Sequence, residues 1–116
     1  MARSFASTNR IATTFGGTNT VRSWGIWTYR AGNGGNGFGR MFDKRNDSSA
    51  QTENLFNDVS SGNYSFSYGW STTNGRWDFA RPAANEWHHI LVTYDDSSVL
   101  NDPIVYVDGS AVSTSE

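Results

Sequence analysis

The 116-residue sequence has no cysteine and only two prolines. Without thiols there is no disulfide framework and no thiolate metal site, and nothing fixes the redox compartment. An excess of one charge is missing too. Nine Lys and Arg stand against eleven Asp and Glu, a formal net charge of −2, so there is no electrostatic ground for binding nucleic acid or an anionic membrane. No apolar run approaches the length of a membrane-spanning helix. The opening MARSFASTNR lacks the apolar stretch of a secretory signal. Sustained helical periodicity is absent as well.

What remains is the composition of a β-rich domain with many turns: aromatics at 15%, twelve glycines, and abundant Ser, Thr and Asn. At this length one domain is expected. Alternating segments separated by turn residues predict strands at 3–6, 10–14, 21–30, 38–45, 62–71, 75–80, 87–95, 103–108 and 110–114. The polar stretch 46–62 reads as a long excursion with a short turn at Leu55 and Phe56. Asp108-Gly109 in YVDGSAV reads as a two-residue type I′ turn, since both central positions need positive φ.

NYSFSYGW (63–70) places Tyr64, Phe66, Tyr68 and Trp70 at every second position, with Ser65, Ser67 and Gly69 between them. On a strand all four rings share one face. Burying each is worth roughly 1.5–3 kcal/mol, and together they would make too large an exposed patch. That face is therefore expected inside, with Trp70 at the strand end half exposed, and the serine face toward water. In SWGIWTYR, Trp24, Ile26 and Thr28 face one way, while Trp27 and Tyr29 face the other. The 46–62 excursion is expected to roof this second face; left open, Trp27 and Tyr29 would stack on a sugar or another subunit.

Other chemistry has little support. GNGGNG (32–37) matches a dinucleotide-binding pattern, but the FGRMFDKR that follows reads as a strand and not as the required helix. His88 and His89 are adjacent on a strand and point to opposite faces, so they cannot share a metal. Asp95, Asp96, Asn101 and Asp102 gather hard oxygen ligands in one loop and are weak candidates for calcium, although the same residue types form ordinary turns. No pair of acids at i and i+2 lies on an expected strand, as sugar hydrolysis would need, and no Ser/His/Asp arrangement stands out. No catalytic residue is assigned, and the chain reads as a non-enzyme.

RSFASTNRI, SWGIWTYRAGNGGNGFGRMFDKRND and above all ANEWHHILVTYDDSSVLNDPIVYVDGSAV resemble laminin-G-like domains of the concanavalin A-like lectin/glucanase superfamily over nearly the whole chain. The resemblance implies an all-β fold, an antiparallel two-sheet jelly-roll sandwich in which Trp87, Ile90, Val92, Tyr94 and Tyr106 are structural. The superfamily's glucanase signature E-x-D-x-x-E is absent, so the likeness implies binding or architecture. Family domains continue past the Y-V-D-G hairpin, whereas here SAVSTSE follows it; the expectation is a sandwich that is incomplete or completed by a partner. The functional expectation is a virion protein, a capsid-decoration or tail-associated subunit of a tailed phage, acting as a homo-oligomer or within a larger assembly. The alternative is an extracellular module binding glycans or proteins. Trp27, Tyr29 and Trp70 are the candidate contact residues.

Overall fold

In the computed structural model, residues 20–34, 37–45, 52–70 and 73–116 are described. The strands expected at 3–6 and 10–14 lie outside them. Among the described residues there are nine strands and no helix: β1 (Val21–Tyr29), β2 (Phe38–Arg45), β3 (Thr52–Asp58), β4 (Asn63–Gly69), β5 (Asn74–Ala80), β6 (Trp87–Asp95), β7 (Ile104–Val107), β8 (Ser110–Val112) and β9 (Thr114–Ser115). They form two sheets, one in the order β1-β6-β7-β8 and the other β2-β3-β4-β5-β9, and every pairing is antiparallel. No helix among the described residues is long and apolar enough to cross a membrane.

Alternation dictates which side chains meet between the sheets. Register aligns Leu55, Phe66 and Trp77 in one row of the five-stranded sheet, with Asn57, Tyr64 and Phe79 in the next row on that face. Opposite them stand Trp24 and Ile26 of β1, Ile90, Val92 and Tyr94 of β6, and Val105 of β7. Rings bridge the gap. Trp24 approaches Phe66 at 5.2 Å between centroids, and Tyr94 approaches Trp77 at 5.3 Å and Phe66 at 5.9 Å. The two sheets thus pack as a β-sandwich on a largely aromatic core. Tyr64, Phe66 and Tyr68 are buried as the alternation in 63–70 required, and Trp70 is half-buried.

The 46–62 expectation needs correction. Residues 52–58 of it are β3, paired on both sides with β2 and β4. The alternation was hidden because two of its three inward positions are polar and find partners inside. Glu53 is ion-paired with Arg22 and Lys44. The Asn57 amide donates to the Asn33 carbonyl at 2.8 Å and accepts from Arg81 at 3.0 Å. Only Leu55 among the three looks like core. Buried polar groups survive where they are hydrogen-bonded. β3 lies in the opposite sheet and so cannot roof Trp27 and Tyr29.

The hairpin at Asp108-Gly109 forms as expected, with φ of 51° and 82°. Asp108 also staples it to β6: one carboxylate oxygen accepts the His89 N–H at 2.8 Å, and the other lies 2.7 Å from His88 Nδ1. The expected strand 110–114 is divided. β8 ends at Val112, and β9 crosses to the other sheet, where Thr114 and Ser115 pair with Phe79 and Asp78. The serine face of β4 departs from expectation at Ser65, and Gly69 at its end is buried as well. Ser65 is fully buried beneath the Arg76–Asp78 ion pair and donates to Asp78 at 2.6 Å.

Candidate docking face

The outward face of the four-stranded sheet is built by alternation alone. β1 presents Val21, Ser23, Gly25, Trp27 and Tyr29, and β6 presents their cross-strand partners Asp95, Thr93, Leu91, His89 and Trp87. β7 adds Ile104 and Tyr106, and β8 adds Ala111. Cross-strand rings pair up, as aromatic neighbours on a sheet do. Trp27 lies 5.1 Å from the His89 ring, and Tyr29 lies 5.6 Å from Trp87.

Eight large apolar side chains are exposed among the described residues, and five of them stand on this one face: Val21, Trp27, Tyr29, Trp87 and Ile104. They range from 48% exposed at Tyr29 to 68% at Val21. Two more, Val99 and Leu100, occupy the loop between β6 and β7. Asp95, at one end, is the only Asp, Glu, Lys or Arg among the face's residues. A sheet surface rich in Trp and Tyr and nearly free of charge has the composition of an interface centre.

Trp27 and Tyr29 are therefore brought together, but Trp70 is not with them. It sits between the sheets, its ring 6.1 Å from Tyr94 and 6.3 Å from Trp77, with its indole N–H 3.5 Å from the Asp96 carbonyl. Trp87 and Tyr106, structural by the resemblance, instead face outward. Ile90, Val92 and Tyr94 are buried. Sequence reasoning missed the contribution of Trp87, Leu91 and Ile104 to this face. The signal was available in WHHILVTYD, whose odd positions repeat the pattern of β1. What it lacked was the register that lays the two strands side by side.

The side chains of the four calcium candidates are each held in structural hydrogen bonds or ion pairs. Asp95 accepts the Ser97 N–H at 3.0 Å, and the Ser97 contacts hold its carboxyl below the ordinary range. Asp96 is ion-paired with Arg22 at 2.9 Å and accepts the Tyr68 hydroxyl. Asn101 donates to the Asp95 carbonyl at 2.9 Å, and Asp102 accepts the Trp77 indole N–H at 2.8 Å. Among the described residues no three His, Asp or Glu side chains gather to hold a metal ion.

Asp58, Asp78 and Asp108 are similarly committed. Asp58 accepts from the Ser60 hydroxyl at 2.6 Å and from Arg76 at 2.6 Å, which holds it far below the usual carboxylate range. Burial works to raise the Asp78 pKa, but hydrogen bonds from Arg76 and Ser65 outweigh it and the net shift is downward. The His88 contact and the His89 N–H lower that of Asp108. Burial, with the neighbouring Asp96, pushes the Tyr68 hydroxyl up to about 12. Burial likewise raises Tyr94.

No protein-family model matches the chain, and no significant match to it is found among curated proteins or solved structures.

Proposed function

We propose that this chain is a non-enzymatic β-sandwich that associates with further copies of itself through the outward face of β1, β6, β7 and β8. The observation that carries the reading is the concentration of Val21, Trp27, Tyr29, Trp87 and Ile104 on that one face. Left in water, such a patch exceeds what monomers ordinarily expose. A second copy is the occupant that the charge pattern favours. With Asp95, at one end, as the only Asp, Glu, Lys or Arg among the described residues of the face, the face can meet itself without carboxylates opposed at its centre, and two sheet faces pack naturally at about 30°. The carboxylates' commitments to structural hydrogen bonds support the non-enzymatic part.

Repeated association is what a particle-forming or particle-decorating protein needs. Together with the laminin-G-like resemblance and its implied jelly roll, this supports a virion subunit as the biological setting. Sedimentation at micromolar concentration tests the docking. The wild-type chain is expected as a dimer or higher oligomer, and the double substitution Trp27→Arg, Trp87→Arg as a folded monomer. A wild-type chain that sediments as a compact monomer throughout this range refutes self-docking. Genes for capsid and tail proteins beside this one would support the virion setting; genes for secretion or polysaccharide metabolism would favour the extracellular binding alternative.

A further inference from the structure

The opposite surface of the molecule, the outward face of the five-stranded sheet, carries a feature unrelated to the docking face. Its middle strand β4 turns the small Ser65 and Ser67 outward, while the strands around it carry larger groups. Ser65 is covered by the Arg76–Asp78 pair, so the sheet is low along its centre only around Ser67. A furrow of about 440 Å³ results, with Phe38 and Arg40 of β2 on one side and Asn74 and Arg76 of β5 on the other. Asn54 of β3 and Ser67 of β4 form its floor. The volume lies within the range of small-ligand sites.

The walls are braced. Phe56, nearly buried, receives the Phe38 ring edge-on at 5.6 Å and the Arg76 guanidinium at 5.4 Å over its face. Arg76 is further fixed by Asp58 at 2.6 Å and by both oxygens of Asp78 at 2.8 and 3.1 Å. A half-exposed aromatic ring and a guanidinium edge thus flank the Phe56 ring at fixed positions, beside the floor of Asn54 and Ser67.

Charge and polarity narrow the ligand. Arg76 is matched by two carboxylates and Arg40 by Asp43 at 3.5 Å, so the furrow has no unmatched positive field for a phosphate or carboxylate. Its polar lining is too extensive for an apolar ligand. The Asn54, Ser67 and Asn74 side chains make no hydrogen bond to any described residue, leaving two amides and a hydroxyl for an incoming molecule. An uncharged, hydroxyl-rich ligand with an apolar C–H face matches this set. The C–H face would lie on Phe38 and the hydroxyls on Asn54, Ser67, Asn74 and the guanidinium edges. The geometry points to a binding site for a short neutral oligosaccharide in this furrow, independent of self-association through the other sheet.

The test is a titration of the ¹⁵N-labelled chain with neutral oligosaccharides of glucose, galactose, mannose and xylose, followed through the side-chain amide resonances. The oligomer-breaking Trp27→Arg, Trp87→Arg background keeps the spectra sharp and separates this outcome from the docking result. At millimolar sugar the Asn54 and Asn74 amides are expected to shift with at least one of the series. Phe38→Ala should weaken that binding about tenfold, the scale of a lost aromatic contact. Ser67→Tyr, which fills the floor, should abolish it while backbone dispersion shows both variants folded. No shift with any of the four series overturns the site. Preferential binding of acidic sugars, or binding that survives Ser67→Tyr, overturns it equally.

Discussion

Truncating Phe66 to alanine separates the inner face of β4 from its outer face. The Phe66 ring is completely buried and packs against Trp24 at 5.2 Å, Tyr94 at 5.9 Å and Trp77 at 6.0 Å, so it touches both sheets at once. Three large rings locked by backbone register cannot collapse into the space left behind, and Phe→Ala in such a core costs about 3–5 kcal/mol. That is a large part of the roughly 5–15 kcal/mol by which domains are stable. For 116 residues, an unfolding entropy of about 2.1 cal/mol/K per residue converts the loss to a fall in Tm of roughly 12–20 °C. The control is the next residue. Ser67 points to the opposite face, its hydroxyl bonds no described residue, and Ser67→Ala should stay within about 0.5 kcal/mol. Urea unfolding followed by tryptophan fluorescence, with the slope checked for constancy, measures both. Comparable small losses at the two sites would refute the packing described here.

The depressed pKa values of Asp58, Asp78, Asp95 and Asp108 mean that the unfolded chain takes up protons first. Their stabilisation is complete above the ordinary carboxylate pKa and lost as pH falls below about 4; a Tm that held steady down to pH 2 would contradict this. Tyr68, raised to about 12, and Tyr94, also raised, act at the other end. Their contribution is intact below about pH 10 and lost above it, so the phenolate absorbance of Tyr68 and Tyr94, read as the difference from Tyr68→Phe and Tyr94→Phe variants, should rise together with unfolding and not before it. In a strand, alanine ordinarily improves on glycine, but a Cβ at Gly75 would overlap the Trp77 ring. Gly75→Ala is therefore expected to destabilise by about 1–3 kcal/mol, and a gain in Tm would show the indole lying elsewhere. With the Asp95, Asp96, Asn101 and Asp102 side chains already committed to structural hydrogen bonds and ion pairs, millimolar calcium should leave Tm where magnesium leaves it. A calcium-specific rise abolished by Asp95→Asn would mean that the loop rearranges into a site.

Period-two alternation was enough to place β1, β2, β4, β5, β6 and β7 and to assign the inner faces of β1 and β4. A strand's side-chain period is a local property, so five to nine residues suffice to read it. The DG hairpin was legible for the same reason: two positive φ angles are a demand on two residues. β3 was not legible, because Glu53 and Asn57 are tolerated inside only by virtue of Arg22, Lys44, Asn33 and Arg81, which come from distant parts of the chain. Ser65 was misjudged likewise, since its burial depends on the Arg76–Asp78 pair on the next strand. The docking face was half legible. Trp27 and Tyr29 were legible as sharing a face, though one expected to be roofed by 46–62, and only the β1–β6 register sets Trp87 beside Tyr29 and His89 beside Trp27. The furrow was invisible until the small residues of β4 were flanked by side chains from three other strands. Sequence by itself determined which residues of a strand share a face, because that is fixed by covalent geometry. Which strands lie together, and so which polar groups are satisfied inside and which rings are left outside, was decided by tertiary structure, because hydrogen-bond register joins residues that the chain keeps far apart.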